Sequence, residues 1–353
     1  MTEIRRTTAD PGPSDFRRVT IRDVARDAGV SVSAVSKVVR DAPGVSPQMR
    51  STVTAVIDRL GYRPHAGARA MRGRSFTVGV VLTEMSSPFQ VEIVDGLGAG
   101  LEGTGFQEVV IAAGIEPRRQ IARIQALLDR QVDGLVLIAP WIEHARLEQI
   151  AERIPLVAVA RHGGAAHFDT IVDDDARGAE LVVDHLVGLG HRRILHTGQS
   201  AGGLEFPHVL SHTARAAGYE AAMRKHGLQP EVIVTEYSEE GGHRAALQAL
   251  DRPDRPTAVF AGADIAALGV LRAAEERGLR VPEDLSVAGY DNIFLSGTGR
   301  VALTTVDQSG RSTGLAAGRL LLERIGGRIA AERHVVGSDL VVRATTAPPH
   351  RRD

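Results

Sequence analysis

The chain has 353 residues, 43% of them hydrophobic, with 42 Lys or Arg, 43 Asp or Glu and no cysteine. Such a length predicts two or three domains with real cores, and the missing cysteines exclude disulfides and thiolate chemistry. No apolar signal-type region opens the chain and no apolar run reaches membrane-spanning length, so a soluble, cytoplasmic protein is expected.

The net charge of -1 hides an uneven distribution: Met1 to Arg74 holds 14 basic and 7 acidic residues, and the remainder 28 and 36. A basic head on an acidic body suits phosphate binding, because neutralised phosphates release counterions; a merely solvated basic face has the same composition. Residues 1–18, with Pro11, Gly12, Pro13 and mixed charges, read as a disordered lead. From Thr20 to Val39 the chain has the grammar of two short helices joined by a tight turn. Ile21, Val24, Ala25 and Ala28 recur at helical spacing, Thr20 can cap the first helix, and Gly29 can end it. Ser31 can cap a second helix whose Val35, Val38 and Val39 point inward, leaving Val32, Ser33, Ser36 and Lys37 on an outer face suited to a major groove.

Ser46 and Pro47 announce a third helix with a stripe of Val53, Val56, Ile57 and Leu60, ended by Gly61. Next, Pro64 opens a short stretch with Ala68 and Met71 on one side and Arg69, Arg72 and Arg74 around them. It is too short to hold a helix alone in water and could fold when DNA or a partner supports it. The body alternates short apolar strands with amphipathic helices. Strands are expected at Thr77–Leu82, Glu108–Ala113, Gly134–Ile138, Pro155–Ala160, Ile194–Thr197, Val232–Thr235, Ala258–Ala261 and Leu285–Ala288. That pattern is parallel α/β in two units. Ligands of such sheets sit beyond the carboxyl ends of the strands, where Phe89, Gln90, Trp141, Arg161, Ser211, Arg215, Tyr237, Asp264 and Asp291 stand. Aromatic faces with carboxylates and guanidinium groups are what a sugar or other polyol requires. Asp264 could instead be a helix cap, Trp141 packing and Arg161 a surface ion pair. The run Asp173, Asp174, Asp175 reads as a cap for the helix that follows.

The head and hinge segments TIRDVARDAGVSVSAVSKVV, VSPQMR and LGYRPHAGARAMRGR, with SSPFQVEIVDGL, VDGLVLIAP, HLVGLGHRRIL, RAAGYEAAM, DLSVAGYDN and LTTVDQS in the body, resemble the LacI/GalR family of bacterial transcriptional regulators. The resemblance runs from about Arg18 to Thr346. It implies an α/β architecture: an N-terminal helix-turn-helix head plus two doubly wound parallel-sheet subdomains resembling periplasmic sugar-binding proteins, with three crossings between them. The crossings are expected near Asp173, Thr305 and Gly327. The expected segments are a head at 19–63, a hinge helix at 64–74, one subdomain of 75–172 with 306–327, another of 173–305 with 328–346, and a tail.

The same resemblance implies that Thr20, Val32, Ser33, Ser36, Lys37, Ala68, Arg69 and Met71 serve DNA binding, Met71 standing where the family usually has a minor-groove leucine. Arg215 and Asp291 match its effector contacts, and Phe89, Tyr237 and Gln308 its cleft-lining positions. Expected partners are operator DNA, a small polar effector such as a sugar, and a second copy of the chain in a homodimer, since TTAPPHRRD holds no leucine heptad. No catalytic residue, metal or cofactor is expected. Ala263, where relatives often carry Asn, and a long segment before Arg215 set this pocket apart. Two rival readings exist. GQSAG at 198–202 matches a nucleophile elbow, but glycines and Pro207 follow where a helix should begin. A periplasmic binding protein shares the body but not the basic head. GAGLEG at 98–103 lies within a helix pattern and reads as a small-residue packing contact.

Overall fold

The computed structural model describes residues 19–40, 42–62, 74–200 and 210–350. The lead at 1–18 and the hinge residues Ala68, Arg69 and Met71 lie outside the described residues. The chain divides into two compact units, 1–75 and 76–353, each taken by itself. Among the described residues, no helix is long and apolar enough to cross a membrane.

In the head, α1 (Ile21–Asp27), α2 (Val32–Val39) and α3 (Pro47–Leu60) close on a core of Val24, Ala25, Val35, Val38, Val53 and Val56. Thr20 and Asp23 form a capping box, each side chain accepting from the other's backbone N–H. Ser31 caps α2 through the Ala34 N–H at 3.1 Å. Ser46 caps α3, Pro47 is its first residue, and Gly61 ends it at φ 62°. One residue departs from the expected outer face. Val32, Ser33 and Lys37 are exposed, but Ser36 is buried. It follows Val35 by about 100° around the helix and lies beside the inward face.

The body holds two six-stranded sheets. The first combines β1 (Thr77–Leu82), β2 (Gln107–Ala112), β3 (Gly134–Ile138), β4 (Leu156–Val159) and β5 (Asp169–Asp173); the second combines β6 (Ile194–Gln199), β7 (Glu231–Thr235), β8 (Ala258–Ala261), β9 (Ser286–Asp291) and β10 (Thr304–Asp307). Two late strands complete them, β11 (Arg333–Val336) and β12 (Asp339–Val341). The orders are β11-β5-β4-β3-β1-β2 and β12-β10-β9-β8-β6-β7, parallel throughout except at β12. Helices α4 (Pro88–Leu101), α5 (Pro117–Leu128) and α6 (His144–Ala151) cover the first sheet, and α7 (Asp175–Gly188), α8 (Ser211–Lys225), α9 (Glu239–Leu250) and α10 (Asp264–Glu276) the second. The last helix, α11 (Gly310–Ile325), returns to the first.

Four strands, β5, β10, β11 and β12, were not expected, and β6 and β9 run past their expected ends. Their buried Asp169, Thr304 and Thr305 break the apolar run by which a buried strand is recognised, and partners inside the fold satisfy them. These strands also fix the crossings. The chain leaves the first sheet after Asp173. It returns between Asp307 and Gly310, close to Thr305 as expected, and crosses last between Val336 and Asp339 rather than near Gly327, because β11 pairs β5. Within the first lobe, α4 and α11 touch backbone to backbone. A Cβ on Gly96 would lie 2.1 Å from the Arg311 carbonyl oxygen, and one on Gly314 2.0 Å from that of Ile93. Gly98 and Gly100 of the GAGLEG segment lie on the same helix, α4, and Gly100 too faces α11.

Candidate functional site

The two lobes enclose a cavity of about 120 Å³ at the carboxyl ends of both sheets. Eight of the ten candidate effector residues line it: Phe89, Gln90, Trp141, Ser211, Arg215, Tyr237, Asp291 and Gln308. The first lobe supplies the aromatic faces of Phe89 and Trp141, with Thr83, Glu84, Ser87 and Gln90 beside them. Phe89 and Gln90 open α4, and the Gln90 amide is spent on Thr83, accepting from its N–H at 2.9 Å and donating to its hydroxyl at 2.6 Å. Trp141 follows β3, and its backbone N–H donates to the Gln120 side-chain oxygen at 2.8 Å.

The second lobe supplies charge. Arg215, on α8, is buried; its Nε and Nη2 donate to one Asp175 oxygen at 3.1 and 2.8 Å, and its Nη1 to the Gly262 carbonyl. Its guanidinium lies 3.5 Å from the centre of the Tyr290 ring. The other Asp175 oxygen meets His162, which follows β4 in the first lobe, at 2.7 Å. Burial opposes both charges, but each supports the other: Arg215 rises above its ordinary pKa, and Arg215 with His162 brings Asp175 below its own. Asp173 accepts from the Tyr290 hydroxyl at 2.6 Å, and burial, with Asp175 beside it, raises its pKa. Burial likewise raises Asp291, which accepts from the Gln308 amide. With φ 120°, Asp291 is in a backbone region that non-glycine residues rarely adopt.

The acidic run therefore divides its work. Only Asp174 caps α7, accepting from the Arg177 N–H at 3.1 Å, while Asp173 and Asp175 are buried in the polar core at the crossing. Two candidates fall outside the lining. Asp264 is fully buried at the start of α10, where it accepts from Thr305 at 2.5 Å, from Ser296 at 2.6 Å and from the Ile293 N–H at 3.0 Å. Burial still raises its pKa; it fastens β10 and the segment after β9 to α10. Nor is Arg161 a surface ion pair. It is buried, donates to the Pro140 carbonyl at 3.0 Å, and burial lowers its pKa to about 10.

Among the polar lining groups, Thr83, Glu84, Ser87, Gln199 and His212 escaped the sequence reading. His212 had a signal, its place three residues before Arg215 and so near it on one helix. Asp175 had one too, in the acidic run, whereas Tyr290 gave none beyond preceding Asp291. Of the GQSAG segment, Gly198 and Gln199 extend β6, and Ala201 and Gly202 lie outside the described residues.

Comparison with known proteins gives this geometry its context. Residues 20–65 match the model of bacterial regulatory proteins of the lacI family, and residues 183–346 that of a periplasmic binding protein-like domain. Catabolite control protein A of Priestia megaterium is 32% identical over 308 residues, 86% of this chain and 91% of that protein. A lac repressor dimer bound to operator and the anti-inducer ONPF superposes with a TM-score of 0.80 at 28% identity, over 94% of this chain and all of that one. A complex of the transcriptional regulator CelR with cellobiose gives 0.68 at 30%, over 93% of this chain and all of that one. By these matches along head and body, the chain belongs to the lacI family of bacterial regulatory proteins and is a DNA-binding transcriptional regulator.

Proposed function

We propose that the protein is a cytoplasmic repressor that acts as a homodimer on operator DNA, and that its cleft takes a small sugar or sugar derivative whose binding changes operator affinity. The observation that carries this reading is the cleft itself. The rings of Phe89 and Trp141 share a cavity of about 120 Å³ with Arg215, Asp291 and Gln308, room for one small polyol whose C–H faces lie on rings and whose hydroxyls meet forked groups. In the head, Val32, Ser33 and Lys37 form the base-reading set, and Ala68, Arg69 and Met71 belong to a hinge that enters the minor groove. Thr20 contributes from its cap position. The two lobes, each assembled from separate stretches of chain, move relative to one another through the crossings, so a metabolite that prefers one arrangement alters DNA affinity by a coupling energy of about 1 to 3 kcal/mol. In this reading the site is regulatory, with the Arg215 charge neutralised by Asp175.

The test is a thermal-shift screen of the purified protein against sugars and nucleobases, followed by operator gel shifts with each hit. A sugar that stabilises the protein and moves operator affinity supports the proposal. Stabilisation by nucleobases alone would replace the sugar with a purine-like effector.

A further inference from the structure

His212 occupies a position at the cleft that neither its helix nor its charge explains. It opens the first turn of α8 in the second lobe, yet its ring stacks on Trp141 of the first, with centroids 5.3 Å apart and planes 20° apart. Beneath the stack Leu210 packs on Trp141, and the backbone of Leu210 bridges Arg161, which follows β4. On its far side the ring meets the edge of Tyr237 at 6.2 Å. The imidazole is thus held from both lobes at the point where they meet.

Its hydrogen bonding defines the tautomer. Among the described residues the ring gives one hydrogen bond, to the Ser200 carbonyl, while Nε2 is buried with no partner. Nδ1 therefore carries the proton and Nε2 is a bare acceptor. His212 is only 7% exposed and lines the cavity, and a buried acceptor left unpaired is costly unless something enters to pair with it. Its nearest cleft neighbours offer donors of their own. The Ser211 hydroxyl lies beside Asp175 and the Tyr237 hydroxyl beside Arg215, each without a well-formed hydrogen bond.

We infer that His212 is a specificity-determining residue of the cleft: its Nε2 accepts a hydrogen bond from a hydroxyl of the bound molecule, and its stack on Trp141 makes that contact part of holding the lobes together. The inference rests on the proposal that the cleft takes a polyol. Arg215 already gives three hydrogen bonds to Asp175 and Gly262, and one Asp291 oxygen is engaged by Gln308, whereas Nε2 of His212 is an acceptor with no partner among the described residues.

The chain has one tryptophan, so emission from the full-length protein reports Trp141 alone. D-ribose, D-glucose, D-galactose and cellobiose are titrated against the parent, His212→Phe, which keeps a ring on Trp141 but removes the acceptor, and His212→Gln, which returns an amide oxygen. Circular dichroism and melting curves check that each variant folds. A sugar that shifts the parent's emission should bind His212→Phe at least about tenfold more weakly, with part of the loss recovered in His212→Gln. Equal affinity in the parent and His212→Phe overturns the inference. If none of the four sugars moves the parent's emission, the sugar reading of the cleft fails, and His212 is judged separately by ¹⁵N NMR of histidine-labelled protein. A proton on Nδ1 with Nε2 bare then supports the acceptor role, and a proton on Nε2 overturns it.

Discussion

Both lobes of the body place their first five strands in the same order, β2-β1-β3-β4-β5 matching β7-β6-β8-β9-β10, but they bury charge for different ends. In the first lobe Arg161 and Asp173 are buried at the carboxyl ends of β4 and β5, but the ion-paired carboxylate lies at the opposite end of the sheet, away from the cleft. Asp169 opens β5 and meets Arg324 at 3.0 Å and Arg328 at 2.6 Å, and it accepts from the Glu332 N–H at 2.8 Å. Those bonds fasten α11 and the start of β11 to the sheet. In the second lobe Asp264 is buried apart from the cleft, but the ion-paired charge faces it, with Arg215 and Asp291 in its wall and Asp175 and Tyr290 behind them. One topology thus carries an internal tie in one copy and a polar wall in the other, and the difference lies in which strand end holds the ions.

Variants that separate tie from wall sharpen this comparison. The largest effect is expected from Arg215→Ala, which leaves Asp175 buried with only His162 to answer it. Removing one member of such a pair costs about 3 to 5 kcal/mol, so urea unfolding should show a large loss of stability and calorimetry a loss of effector binding. Asp169→Ala should cost about 3 kcal/mol, at the lower end of that range because Arg328 is 22% exposed and keeps some water. Here the effector affinity should stay as in the parent. If Asp169→Ala also abolishes effector binding, the division between tie and wall is wrong. Asp291→Ala is expected to reverse that pattern. It leaves the Gln308 amide unpaired and should weaken the effector by about 2 kcal/mol with operator binding retained in its absence, which gel shifts with and without effector would read.

How much of this was legible in the sequence follows from the kind of signal each feature leaves. The caps of the head, Thr20, Ser31, Ser46 and Gly61, act within three residues of themselves and could be read one by one. The strands β1, β3 and β8 fall at their expected residues because their short runs, TVGVVL, GLVLI and AVFA, carry no charged residue to break the apolar pattern. Residues directly after strands, such as Trp141, were placed at the cleft by the general geometry of parallel sheets. What escaped depends on pairing across distance. Asp175 reads as a cap until Arg215, forty residues later, turns out to share its pocket. Asp264 reads as a ligand or a cap, and only β10 shows that its oxygens are committed to Thr305 and Ser296. Ser36 lies beside the inward face of α2, where a polar side chain reads as outward whatever the packing.

The smallest expected effect, and the one that isolates a single group, is the pH dependence of the wall. Burial, with the Arg215 charge beside it, lowers the His212 pKa to about 4 from an ordinary 6.5. Between those values the unfolded chain takes up a proton that the folded ring refuses, so the unfolded state binds more protons and stability falls as the pH falls. The contribution is complete above pH 6.5 and is lost at up to about 1.4 kcal/mol per pH unit on the way down to pH 4. Asp173 and Asp291, whose pKa values are raised in the fold, act with the opposite sign: their folded forms hold protons that the unfolded chain has released, so they favour the fold as the pH falls toward 4. The parent's own profile mixes the two, and the difference between parent and His212→Phe removes the carboxylates, which are common to both. Urea unfolding of the two proteins at pH 7 and pH 5 should therefore show the variant gaining on the parent by about 1 to 2 kcal/mol over that interval. A constant difference would mean that His212 takes its proton as readily in the fold as out of it, and would break the contrast between an ionic tie in one lobe and a ligand-facing wall in the other at the residue where the lobes meet.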